Sequence, residues 1–261
     1  MAPAHRTAPD PASGPAATSE PSGPGAAARP AGPAGAADAG AALTERLAQR
    51  LTAAADPARA PAMRAYMREQ FPFLGVPAPQ VQAAVRAVLA ESPRPDAATL
   101  REAALACWAR PEREYQYAAC VLLRRHAKVL DDGFVDTARH LIVTKPWWDT
   151  VDALAAHVVG PLAARHPHLT AVLDAWAAGD ELWLIRTALL HQLTYQAETD
   201  AERLLRYCAA RAGHPDFFIR KAIGWALREY ARTDPAAVRA FVAAHPELSG
   251  LSRREALKHL S

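Results

Sequence analysis

Residues 217–235 read FFIRKAIGWALREYARTDP. Ile219, Ile223, Ala226 and Tyr230 recur at spacings of three and four, which puts them on one side of a helix turning about 100° per residue. Asp234 and Pro235 then read as an N-cap followed by a first-turn proline, so a second helix starts as soon as the first has ended. Two helices joined by so short a break pack side by side in opposite directions. The same grammar runs from residue 42 onward. LTERLAQRLTAAAD, VQAAVRAVLAES, LREAALACWAR, EREYQYAACVLLRRHA, FVDTARHLIVT, LTAVLDAWAAG, LWLIRTALLHQLT, AERLLRYCAARAG and AAVRAFVAAH all carry the three-and-four period. Pro79, Pro95, Pro111, Pro146, Pro167 and Pro215 mark the breaks. No stretch alternates as a strand does. The pattern predicts an all-α chain of about a dozen helices of roughly 10–17 residues, paired every 35–40 residues or so and stacked as a HEAT-like helical-repeat solenoid with a concave face. Pro161, directly after Gly160, is expected to kink or end the helix that begins near Trp148.

Composition sets the limits around this reading. The chain has 261 residues, 51% of them hydrophobic, enough for a sizeable core. Cys107, Cys120 and Cys208 are widely spaced and form no CxxC pair, so neither a disulfide framework nor a cysteine metal site is expected. The histidines, His191 among them, show no ligand spacing, and no cofactor is expected. The opening MAPAHRTAPD has no apolar run of signal-peptide type, and no run long enough to span a membrane follows. A reduced, cytoplasmic setting is the expectation. In residues 1–40, 28 positions are Ala, Pro or Gly, and Leu, Ile, Val, Phe, Tyr and Trp are all missing. Such a leader is expected to be disordered, because it has too little apolar surface to offset its ordering entropy. Residues 41–261 form the folded domain, with 28 Lys or Arg against 24 Asp or Glu. That mildly basic balance is compatible with nucleic acid without demanding it. No long apolar stripe is left over for dimerisation, so a monomer is expected.

Four residues stand out because core packing does not account for them. In 217–235 the face opposite the apolar one carries Lys221, Trp225, Arg228 and Arg232, so Trp225 either packs on a neighbouring repeat or stands within a cationic stripe. In 181–194, Leu182, Ile185, Leu189 and Leu193 define the apolar face, and Arg186 falls inside that arc. An arginine there must snorkel, pair with a carboxylate such as Asp152, or meet an anion such as phosphate. The stretch TKPWWDTVDAL (144–154) supplies the others. Val151, Leu154, Ala155 and Val158 form a core face, Trp147 reads as a core or staple residue at the helix entry, and Asp149 favours the helix N-terminus. Trp148 and Asp152 lie four apart at the border of the core face, an aromatic surface beside a carboxylate, suited to a cation.

YMREQFPFLGV (66–76), EREYQYAAC (112–120), TKPWWDTVD (144–152), WLIRTALLHQL (183–193), FFIRKAIGWALREYARTDP and LSRREALKHL (251–260) together resemble the AlkD-type DNA alkylation repair glycosylases over about 60–260. The resemblance implies a HEAT-like solenoid that binds duplex DNA and excises N3- and N7-alkylated purines, with no cofactor; a cytoplasmic protein that associates with the nucleoid when on DNA is the expectation. It carries the family's site onto Trp148, Asp152, Arg186 and Trp225, the positions the helical wheels leave unexplained, and adds Tyr66. It implies that Asp152 stabilises positive charge on the deoxyribose and orients water, that Trp148 and Trp225 bracket the sugar, and that Arg186 holds a flanking phosphate. It also implies an exposed base with no enclosing pocket, and so tolerance of bulky adducts. Lys221, Arg228, Arg232, Arg253, Arg254 and Lys258 are the expected phosphate contacts, with Arg124 and Arg125 as weaker candidates. The competing readings are a DNA-binding solenoid without catalysis and a protein-binding scaffold.

Overall fold

The computed structural model describes residues 33–260, and every regular element among them is helical. In order these are α1 (Pro33–Ala53), α2 (Ala60–Tyr66), α3 (Ala78–Ala90), α4 (Ala97–Ala109), α5 (Arg113–Arg125), α6 (Phe134–Val143), α7 (Trp148–Leu154), α8 (Gly160–Arg165), α9 (Thr170–Ala178), α10 (Leu182–Leu190), α11 (Ala201–Ala210), α12 (Phe217–Tyr230), α13 (Pro235–Ala244) and α14 (Gly250–Ala256). Short polar caps set six of the starts. Asp96, Glu181, Asp200, Asp216, Asp234 and Ser249 each accept a hydrogen bond from a backbone N–H in the first turn of the helix that follows. Each such cap is worth about 1 kcal/mol.

The helices pair as hairpins: α4 with α5, α6 with α7, α9 with α10, α11 with α12, and α13 with α14. The second members stack in one row, α5 on α7, α7 on α10, α10 on α12 and α12 on α14, with α3 completing the row beside α5. This is a helical-repeat solenoid. Its apolar stripes merge into one core from Leu43 to Ala256. The expected core face of α7 and its continuation, Val151, Leu154, Ala155 and Val158, is buried throughout. Burying each of the larger of these side chains is worth about 1.5–3 kcal/mol.

Three features differ from the sequence expectation. The first helix begins at Pro33, inside the stretch expected to be disordered, while the rest of that leader lies outside the described residues. Residues 33–40 contain no large apolar side chain, yet Ala36 is buried, and a Cβ on Gly40 would sit 2.5 Å from Glu102 Cβ on α4. Smallness is what lets the two helices approach, so the segment packs by backbone proximity. The helices are also less uniform than predicted, from 6 residues in α8 to 21 in α1. Finally, Pro161 does not break the chain's helical course. A π-helical segment, Ala155–Val159, joins α7 to α8 and absorbs the missing proline N–H.

Candidate active site

The site is built at the start of α7. Trp147 is extended (φ −162°, ψ 158°) and its carbonyl accepts the Val151 N–H at 3.1 Å, so the helix begins at Trp148. What fixes that start is Asp149, whose role is larger than favouring the helix dipole. Its carboxylate takes both Nε and Nη2 of the fully buried Arg113 (3.1 and 2.6 Å) and the Tyr117 hydroxyl (2.6 Å). Arg113 also donates to the Lys145 carbonyl and to Thr150 Oγ1, and stacks 3.8 Å over the Phe71 ring. Next to it on α5, Glu114 accepts the N–H groups of Leu74, Gly75 and Val76 at 2.8–3.0 Å. The EREYQY segment therefore clamps the 71–76 loop and the α7 entry onto one another, with the buried charges of Arg113 and Glu114 both satisfied.

Asp152, one turn along α7, faces α10. Its two oxygens accept Nε and Nη2 of Arg186, both at 2.7 Å, and the third nitrogen of Arg186 donates to the Phe218 carbonyl at 2.5 Å. The arginine inside the apolar arc of α10 is thus paired with the carboxylate, and the flanking phosphate expected for it meets a prior partner. Arg186 is 3% exposed and Asp152 12%. Burial pushes the Asp152 carboxyl above the ordinary aspartate range, against the opposing pull of the Arg186 hydrogen bonds and charge.

The residual exposure of Asp152 opens into a cleft of about 400 Å³, lined by Tyr66, Arg68, Trp147, Trp148, Asp149, Asp152, Arg186, Phe217, Phe218, Lys221 and Trp225. All four residues singled out by the helical wheels, and Tyr66, meet there. Tyr66 is 71% exposed at the end of α2, with its ring edge-on to Trp148 at 6.2 Å. Trp147, Trp183 and Phe218 form a mutually packed cluster at 5.0–6.0 Å behind it, and Trp147 Nε1 is a buried donor without an acceptor. Trp225 and Asp152 also border an adjoining hollow that carries Arg124, His157 and Glu229. The carboxylate is therefore reached from outside, and its walls are indole and phenyl faces.

The expected phosphate contacts fare unevenly. Lys221 (2.5 Å) and Arg228 both bind Glu255, and these contacts hold the Glu255 carboxyl below its ordinary range. Arg232 pairs with Glu229 at 3.2 Å. Arg253 is turned inward and donates to the carbonyls of Leu248, Val242 and His245, closing the end of α13, a structural task at odds with the expected DNA contact. Arg254 and Lys258 are exposed near the end of the chain and are not among the residues that line the cleft. Arg124 and Arg125 are exposed as well. Sequence reasoning missed Phe217, 55% exposed at the first position of α12, and Arg68. The Phe217–Phe218 pair directly after the Asp216 cap was the available signal, since an exposed phenylalanine at a helix start has no packing reason to be there.

Comparison with known proteins bears on the family of the whole chain. No curated protein matches the chain. Among solved structures, one described as a predicted DNA alkylation repair enzyme from Enterococcus faecalis superposes with a TM-score of 0.73 at 33% identity, covering 79% of this chain and 97% of that one. The sequence profile of the family described as DNA alkylation repair enzyme matches residues 47–260, a span that includes every helix from α2 to α14 and every cleft residue named above. The chain belongs to the DNA alkylation repair enzyme family.

Proposed function

We propose that the protein is a monofunctional DNA glycosylase that hydrolyses the N-glycosidic bond of N3- and N7-alkylated purines in duplex DNA. The observation that carries this reading is the convergence of Trp148, Asp152 and Trp225, from α7 and α12, on one open cleft. Alkylation at N3 or N7 makes the purine cationic, so it can leave without being protonated. The C1′–N bond breaks with its electron pair going to the purine, which neutralises the base and leaves positive charge on the deoxyribose. The transition state is oxocarbenium-like, as in sugar hydrolysis. Asp152 stabilises that charge and takes the proton of the water that adds to C1′. The faces of Trp148 and Trp225 flank the sugar and contribute cation–π attraction of about 0.5–2 kcal/mol each. Arg186 acts through Asp152, fixing both oxygens and keeping the carboxyl ionised against burial. The open cleft leaves the base outside an enclosing pocket, so bulky adducts should be tolerated and neutral lesions such as uracil should be poor substrates.

The test is release of 7-methylguanine from a duplex by the full chain, beside Asp152→Asn. Release by the parent and loss in the variant supports the glycosylase. Duplex binding without release from either protein supports a DNA module without catalysis, a reading favoured by the complete pairing of Asp152 with Arg186. No duplex binding supports a protein scaffold.

A further inference from the structure

Three cations line the cleft, and two are already neutralised: Arg186 by Asp152 and Lys221 by Glu255. The third, Arg68, has no carboxylate partner among the described residues and is exposed on the rim beside Tyr66. The adjacent Glu69 does not serve it, because its carboxylate is bound to Arg64 at 2.8 Å. Among the described residues, the cleft's one positive charge without a carboxylate partner is therefore two residues from the aromatic ring that meets Trp148.

The backbone makes Arg68 more unusual still. Helix α2 closes with the Arg68 N–H on the Ala65 carbonyl (3.0 Å) and the Glu69 N–H on the Arg64 carbonyl (2.8 Å), the paired bonds of a Schellman ending. The position after such an ending is left-handed and is usually glycine, which has no Cβ to clash. Here Arg68 occupies it at φ 54°, followed by Glu69 at φ 59°. An arginine kept where glycine fits better is an observed outlier on the edge of a cleft, and its side chain, not its backbone, is what glycine would not provide.

We propose that Arg68 is the phosphate-binding residue of this cleft. Resting on the glycosylase reading, it takes the backbone phosphate next to the nucleotide whose sugar lies against Trp148, a task for which Arg186, its charge already neutralised by Asp152, is the poorer partner. A planar guanidinium suits a phosphate's paired oxygens. The strand then enters across the Tyr66–Arg68 rim, and Lys221 and Arg228 contribute only as far as they leave Glu255.

The experiment compares the full chain with Arg68→Gly and Arg68→Lys, titrating an unmodified duplex over a range of salt concentrations and recording thermal unfolding. Arg68→Gly is expected to melt at the parental temperature or above it, because glycine relieves the left-handed position. It is expected to bind more weakly, with the slope of log affinity against log salt shallower by about 0.9, the loss of one phosphate contact. Arg68→Lys should keep the parental slope. A purely structural Arg68 would lower the melting temperature and leave the slope alone. Arg68→Gly binding with the parental slope overturns the proposal, whatever base release shows. A parent whose salt slope depends on Arg68 but which releases no alkylated base leaves Arg68 as assigned and overturns the glycosylase reading alone.

Discussion

Replacing Asp152 with asparagine removes one charge and almost no volume. Both carboxylate oxygens are held by Arg186 at 2.7 Å, so a positive sugar about 4 Å from the carboxylate lies about 8 Å from the guanidinium behind it. At an effective dielectric of 20 the attraction is about 4 kcal/mol and the repulsion about 2; the guanidinium stays in the variant, so the substitution forfeits the whole attraction, about 4 kcal/mol or roughly a thousandfold in rate. Accepting a proton from the attacking water adds about 10²–10⁴. Release of 7-methylguanine by Asp152→Asn should therefore fall at least about a thousandfold, and by about 10⁵ or more with the loss of the base. The amide leaves Arg186 buried beside a neutral partner, so stability should fall by up to about 3–5 kcal/mol. The assay is single-turnover release at a temperature where circular dichroism shows the variant folded, with duplex affinity measured alongside. A folded, duplex-binding Asp152→Asn that releases base at the parental rate would refute the assignment.

The carboxyl of Asp152 is raised by burial above its usual 3.8, and catalysis needs it ionised, so release should decline on acidification at a higher pH than an ordinary aspartate titrates, as a pH–rate profile would show. His191 is depressed from 6.5 to about 4 by burial. The unfolded chain therefore takes up a proton below 6.5 that the folded one refuses, and stability should drop as pH falls from 6.5 to about 4, by about 3 kcal/mol. Denaturant titrations should show this slope and His191→Gln should flatten it. Asp149→Asn should cost about 3–5 kcal/mol, because the fully buried Arg113 loses its charge partner, and chemical denaturation will register it even where duplex binding survives. A Cβ at Gly160 would stand 2.1 Å from the His191 carbonyl oxygen, so Gly160→Ala should force α8 away from the end of α10 and lower the melting temperature by several degrees.

The chain order of amino acids determines what is local. Ile219, Ile223 and Ala226 can face one way only on a helix, and Asp234–Pro235 can only end one helix and begin another, so the all-α repeat was legible. It was equally legible that Trp148, Asp152, Arg186 and Trp225 did not belong to a plain core, since each breaks the pattern of its own helix. What the sequence leaves open is which unusual residue answers which. Asp149 and Asp152 are both carboxylates on one short helix, yet one binds Arg113, 36 residues back, and the other Arg186, 34 residues on. Glu255 neutralises Lys221 and Arg228 from a helix two further along the chain, and Arg253 turns inward to the end of α13. Helical periodicity extends over three or four residues, whereas the angle and height at which two helices meet depend on every side chain in the interface between them. Only that packing decides which charges are cancelled, and so which remains for a ligand.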